Sequence, residues 1–357
     1  MSDPTRPLAP IIEDHKPDRP VDRVDAERLH ASHEHARAVL VERFHAMVRW
    51  RGSALLVVIA AMVVFFSSQS PLFLTANNAV NIAQQAVIYG LLAVGLTMVV
   101  LTGGIDLSFP SVLAMAGLTA GYVNVVAGQT ASVAILCGIG VGLVAGLVNG
   151  ALVAYTHLQP FVITLGTYSI CVSLALMIGD GSPIQGFSAD FSAFPTNKIG
   201  SIPSSVFVLV AVSLLAWLLL RSTRLGRFIY ASGGNEKAAR LAGIRVSRVQ
   251  LAVYALSGLL AGLAGVVQSG TLGVAAPQPS FSLLLIAIAS VVVGGASLTG
   301  GVGSVGGTLT GVVLLTILSN GLNVMAVAPF YQDLLLGIAV IGSVLINDFA
   351  RGRSRRG

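Results

Sequence analysis

Long apolar runs, separated by short polar or glycine-rich breaks, make up most of this chain. Runs such as ALLVVIAAMVVFF and VFVLVAVSLLAWLLL approach the roughly 20 residues that a helix needs to cross about 30 Å of hydrocarbon. A buried strand would be shorter. The pattern predicts ten helical spans, at 53–69, 83–102, 109–127, 131–155, 160–179, 204–220, 250–269, 282–298, 303–323 and 330–347. The fold class expected is therefore all-α, a polytopic membrane bundle of about ten transmembrane helices with glycine-interrupted segments. About fifty polar residues precede the first span where a signal peptide would carry a short basic region, so that span is expected to stay attached.

Composition agrees: 54% of residues are hydrophobic and 10% charged, against about 25% charged in a soluble domain. The net charge of +6 raises nucleic acid as a partner, and the placement of the basic residues excludes it. Apart from Lys198, every Lys and Arg lies before Gly52, in the loop 221–250 or after Ala350. That is the positive-inside pattern, and it puts both termini and the loop in the cytoplasm. The connection 180–203, with Asp180 and Asp190 against Lys198, fits the other side. Expected boundaries are a polar cytoplasmic tail at 1–50, a membrane domain at 51–350 and a basic cytoplasmic tail at 351–357. Within the first tail, 1–21 reads as disordered and 24–51 as an amphipathic helix against the membrane or a partner. His30, His33 and His35 lack a cysteine or carboxylate framework, so no metal is assigned. Cys137 and Cys171 fall inside spans as small packing residues.

Gly138, Gly142, Gly146 and Gly150 recur every four residues, and Gly258 and Gly262 repeat the spacing. Small residues at this interval let helix backbones approach closely in lipid. Two other clusters, LTGGIDLSFPS at 101–111 and GGASLTGGVGSVGG at 294–307, interrupt spans. Such breaks are tolerated where protein or a water-filled cavity satisfies the freed backbone. Their shared LTGG reads as two independent glycine turns on the same side of the membrane.

Asp106 is the only charged side chain between Gly52 and Gly179. Ser108 is placed to cap the helix that begins at Phe109 and Pro110, with its hydroxyl accepting from a free amide. Asp106 then precedes a helix N-terminus, whose partial positive charge favours a carboxylate. An aspartate at membrane depth costs on the order of 3 kcal/mol, so it should face protein or water. Two roles stand open for it: capping the third span, or gating substrate passage. In the basic loop, Asn235 is expected to cap a short helix over Glu236–Ala242, ended by Gly243 in a left-handed conformation. Seven residues give a rod on the order of 10 Å.

TGGIDLS, YASGGNEKAARLAGIRV and GGASLTGGVGSVGGTLTGV resemble the permease subunits of bacterial ABC importers for monosaccharides, the ribose, xylose and arabinose type. PFVITLGTYSI and NGLNVMAVAPFYQDLLLGIAVIGSVLIND match the pattern too, so the resemblance spans roughly residues 70 to 348. It implies a second permease chain, as homodimer or heterodimer, a periplasmic sugar-binding protein and a cytoplasmic ATPase with paired ABC domains. It also implies that Gly233, Gly234, Asn235, Glu236, Ala238, Ala239, Arg240 and Gly243 contact that ATPase, and that Gly104, Ile105, Asp106, Leu107 and Ser108 form the family's GIDLS turn. Phe109-Pro110-Ser111 departs from the usual Val-Gly-Ser. If that amide normally serves substrate or gate, a common sugar is in doubt; if it lies in the first helical turn, little changes.

No glycine is followed directly by lysine, so the chain lacks a phosphate-binding loop. ATP is therefore expected on a partner, with no cofactor on this chain, and no Ser, His and carboxylate grouping suggests catalysis. Gln84, Gln85, Asn149, Tyr168, Gln268 and Asn320 are polar span residues that either line a pathway or join helices. The alternative is an ion-coupled secondary transporter. It would need ionisable groups inside its spans, yet only Asp106 and Asp333 are available, both near span ends. A membrane scaffold without transport is a third reading.

Overall fold

The computed structural model describes residues 55–156 and 158–354, which fall within one compact unit, Gly52–Gly357. The expected tail helix at 24–51 and the His30, His33 and His35 cluster lie outside the described residues. Each of the ten expected spans holds a helix. In chain order these are α1 (Leu55–Gln69), α2 (Ala76–Leu101), α3 (Phe109–Gly121), α4 (Ala131–Tyr155) and α5 (Pro160–Ile178). A short helix, α6 (Ala189–Thr196), leads to α7 (Ser204–Ser222). Two more, α8 (Arg224–Gly234) and α9 (Glu236–Leu241), precede α10 (Val246–Leu272), α11 (Phe281–Val293), α12 (Val305–Val324) and α13 (Pro329–Ser354). Among the described residues, seven helices are long and apolar enough to cross a membrane, while α1 and α11 are shorter apolar helices.

Several boundaries differ from expectation for identifiable reasons. Helix α2 begins at Ala76 instead of 83, because the Thr75 side chain accepts from Asn78 N and starts the helix early. Helix α11 stops at Val293, well short of 298, where left-handed Gly295 (φ 93°) turns the chain. A five-residue π-helical stretch, Tyr122–Val126, continues α3. Four two-residue strands also went unforeseen. The first, β1 (Ile184–Gln185), pairs antiparallel with β4 (Val274–Ala275), joining the connections after α5 and α10. The other two, β2 (Lys198–Ile199) and β3 (Ile202–Pro203), form a hairpin before α7.

Helix α10 is the centre of the bundle, packed against α2, α3 and α4. Its glycines explain the fit. A methyl group at Gly142 would come within 2.6 Å of Gly262 Cα, at Gly146 within 2.9 Å of Gly258 Cα, and at Gly150 within 2.9 Å of Leu251 Cα. The two glycine ladders therefore face each other, and the backbones gain the close dispersion contact that must hold helices together in lipid. Outward faces are apolar instead of polar: Leu136, Val144 and Leu152 on α4 and Val210, Leu214 and Leu218 on α7 are all exposed. Cys137 and Cys171 are unbridged.

Gly258→Ala is expected to lower the stability of the detergent-solubilised chain by about 1–3 kcal/mol through overpacking. Gly140→Ala, on the same helix pair but with open space around it, should change the melting temperature little. Equal effects would contradict the ladder contact.

Candidate coupling and gating site

The GIDLS turn starts where α2 ends. Gly103 is left-handed (φ 79°), and the amides of Gly103 and Gly104 bond back to Val100 O at 2.9 Å and Val99 O at 3.2 Å. This is the Schellman arrangement, which satisfies the last carbonyls of a helix. The α11 end repeats it, with Gly295 N to Val292 O at 2.9 Å and Ala296 N to Val291 O at 3.0 Å.

The expected cap at Ser108 is not what forms. Ser108 has right-handed helical angles and its side chain caps no amide. Asp106 takes that role: its Oδ1 accepts from Ser108 N at 2.9 Å and from Ser108 Oγ at 2.6 Å. The hydroxyl donates to the carboxylate in a charge-assisted bond, and it accepts from Asn149 Nδ2 instead of from a helical amide. Ser257 of α10 donates to Oδ2 at 3.1 Å. The relay continues outward, with Asn149 Nδ2 of α4 donating to Ser108 Oγ at 2.8 Å and Thr167 Oγ1 of α5 donating to Asn149 Oδ1 at 2.6 Å. Tyr254 OH of α10 donates to Ile105 O at 3.1 Å. One carboxylate, 3% exposed, thus ties the turn to α4, α5 and α10. Pro110 falls in the first turn of α3, where an amide has no helical partner.

The second glycine turn, residues 294–304, packs directly on the first. Gly301 N donates to Leu101 O at 2.9 Å, satisfying a terminal carbonyl of α2. The two LTGG segments are therefore in contact. Helix α8 completes the junction. A methyl group on Gly233 would collide with Leu101 O. One on Gly300 would come within 2.8 Å of both Gly103 N and Gly233 O, and one on Gly301 within 2.9 Å of Gly234 Cα. Tyr230 OH donates to Gly303 O at 2.8 Å. Three glycine segments far apart in sequence meet main chain to main chain.

From this junction the chain passes through Asn235, which ends α8 and caps α9 by accepting Ala238 N at 3.0 Å. Helix α9 is six residues long, one shorter than expected, with Ala242 as its C-cap. Gly243 is left-handed (φ 82°), and the amides of Gly243 and Ile244 bond to Arg240 O and Ala239 O at 3.0 Å each. Ala239 is buried while Asn235, Glu236, Ala238 and Arg240 are exposed. Leu241, 90% exposed, is an apolar side chain with no cover. Arg240 pairs with Glu236 at 2.6 Å. Helix α8 itself was missed in the sequence, because its glycine pair reads as a break; its amphipathic spacing was the available signal.

Comparison with known proteins bears directly on this arrangement. Residues 78–344 match the family described as branched-chain amino acid transport system / permease component. The segment holds both glycine turns, the α8 glycine pair and the whole Asp106 relay. The chain belongs to this permease family. It is 39% identical over 297 residues to the ribose import permease protein RbsC of Escherichia coli (strain K12), covering 82% of this chain and 92% of that one. It is 41% identical over 289 residues to RbsC of Bacillus subtilis (strain 168), covering 80% and 89%. It is also 36% identical over 305 residues to the D-allose transport system permease protein AlsC of E. coli (strain K12), covering 85% and 94%.

The other polar residues singled out in this permease lie apart from the relay. Asn320 of α12 is paired amide to amide with Asn78 of α2 at 2.9 and 3.0 Å, which is interhelical joining. Gln84 and Gln85 are half-buried on α2; Gln85 Oε1 is buried with no hydrogen-bond partner. Tyr168 is half-buried beside Thr167 on α5. Gln268 lines a cavity of about 80 Å³ with Gln278 and Ser280. A larger cavity, about 130 Å³, borders Ile105 and Asp106 and is otherwise lined by apolar side chains of α2, α11 and Leu298. Leu107 is half-buried, and Gly104 faces Tyr254 OH, which a methyl group there would approach to 2.8 Å. Ser257, Thr167 and Tyr254 were not picked out from the sequence. The available signal was position: Ser257 directly precedes a ladder glycine, and Thr167 lies inside the family-like PFVITLGTYSI segment.

Asp106→Ala leaves three donors without an acceptor and is expected to destabilise the permease by about 3 kcal/mol or more. Asp106→Asn keeps an acceptor for Ser108 and should assemble at lower cost. Thermal melting in detergent checks both; an alanine variant as stable as the parent would contradict the relay. Uptake by the assembled asparagine variant is expected to fall.

Proposed function

We propose that this permease carries a monosaccharide or related polyol from a periplasmic binding protein to the cytoplasm by alternating access, as the membrane subunit of an ATP-driven importer. The observation that carries the reading is the seat of Gly233 against the Leu101 carbonyl. Through it, exposed α9 is joined by unyielding main-chain contact to both glycine turns. The partners proposed are an ATPase with two nucleotide-binding domains, a second permease chain and the binding protein. The setting is the bacterial inner membrane, with both termini cytoplasmic. The positive-inside distribution supports that orientation.

In this mechanism the chain holds no nucleotide. ATPase closure displaces α9, whose exposed Leu241 and charged face offer the contact. The displacement passes through α8 to Leu101 and Gly301, and the turn carrying Asp106 shifts against α4, α5 and α10. Interdigitated packing favours two discrete arrangements over a continuous bend. Sugar passes between paired permease chains, with Asp106 setting the position of the gate and not itself touching solute. Sugar is favoured over amino acid because the relatives above, at 36–41% identity, are named for ribose import or D-allose transport, although the family description names branched-chain amino acids. An ion-coupled carrier gains no support: Asp106 is fully engaged, and Asp333 is exposed and bonded to Ser282.

The Glu236–Arg240 pair is exposed and contributes about 0.3–0.5 kcal/mol to the helix, so removing either side chain should leave the fold intact. Glu236→Ala and Arg240→Ala are each expected to uncouple ATP hydrolysis from uptake in proteoliposomes holding all subunits. Normal coupled uptake in both would overturn the assignment of α9. Calorimetry on the cognate binding protein should show capture of a sugar or polyol; capture of leucine or isoleucine alone would overturn the substrate class.

A further inference from the structure

We infer that the elbow between α7 and α8 is a docking surface for anionic phospholipid headgroups. Its upper part is the exposed face of α7, where Val210, Leu214, Trp217 and Arg221 succeed one another at helical spacing and all lie open. Helix α7 is a candidate membrane span, so this face meets acyl chains and ends at the level of Trp217. Arg221 lies over the Trp217 ring, its guanidinium carbon 5.1 Å from the centroid. That contact holds a cation at the depth where an indole prefers to sit, the boundary between hydrocarbon and headgroups.

The chain then turns at Thr223, whose side chain caps α8 by accepting Gly226 N at 3.1 Å. On α8, Arg224, Arg227 and Phe228 occupy one face and are exposed, while Gly226, Ile229 and Ser232 on the other are buried. A helix with arginines and a phenylalanine on its open face suits the membrane interface: the ring enters the headgroup boundary and the guanidinium groups bind phosphate. No acidic residue lies between Asp190 and Glu236. Among the described residues the one ion pair is Glu236–Arg240, so Arg221, Arg224 and Arg227 offer their full charge to an external anion.

Lipid fits better than a soluble partner because the charged patch is continuous with the lipid-contacting face of α7 and includes an exposed aromatic at each end. The buried side of the same α8 carries Tyr230 and Gly233 into the glycine junction. Headgroup binding would therefore brace the arm that moves the turns.

The test is native mass spectrometry of the full-length chain in detergent, titrated with phosphatidylglycerol and separately with phosphatidylcholine. The parent chain should prefer phosphatidylglycerol. R221Q/R224Q/R227Q should lose the preference by roughly tenfold or more, and each single change by about fivefold, as expected for basic groups at an anionic surface. R221K/R224K/R227K should keep most of it. Should the triple glutamine variant fail to fold, the single variants decide. Undiminished preference in the glutamine variants would overturn the proposal. So would weakened ATPase binding with phosphatidylglycerol preference intact, which would assign the patch to the soluble partner.

Discussion

A peptide carbonyl in contact with a glycine α-carbon lets neither side move closer without displacing the other. That is the situation of Leu101 and Gly233, where even a methyl group has no room. Side chains adjust by changing rotamer, and a contact made of side chains absorbs small displacements. Main-chain contact does not. Gly301 N bonded to Leu101 O and Tyr230 OH bonded to Gly303 O extend the same constraint to the second turn. The ends of α2 and α11 are therefore both seated against α8.

The buried carboxylate beside this junction has a different physical role. No cation pairs with Asp106 among the described residues, so its charge is balanced by donors: one amide and two hydroxyls. A charged group held this way fixes its neighbours, because every donor that strays leaves the carboxylate less satisfied in a low-dielectric interior. Ser108 passes the constraint to Asn149, and Asn149 to Thr167, so four separate segments share one arrangement. The glycine junction supplies rigidity and the relay supplies register. Together they join the end of the bundle near α8 into one packed unit.

Much of this was legible in the residues. The apolar runs set the helices, the two glycine ladders marked α4 and α10 as close-packing helices without saying that they face each other, and Asn235 with Gly243 marked both ends of α9. What could not be read was which breaks meet in space. The shared LTGG segments are nearly 200 residues apart, and a glycine's sequence context does not say what approaches it. Ser108 misled for a local reason: Asp106, two residues earlier, accepts the Ser108 amide, and the Ser108 hydroxyl is held between Asp106 and Asn149. Helix α8 was hidden because glycines at its end resemble a linker, whereas here they are the surface that lets the helix sit against α2.

The central claim is that α9 and the glycine turns move as one body. The most direct measurement is the pair of spin-label distances Ala238–Val302 and Ala238–Gln129, all exposed positions, in the assembled importer with and without ATP. The account predicts an Ala238–Val302 distance that stays the same while Ala238–Gln129, reaching across the bundle, changes. An Ala238–Val302 distance that shifts as much as the other would contradict it.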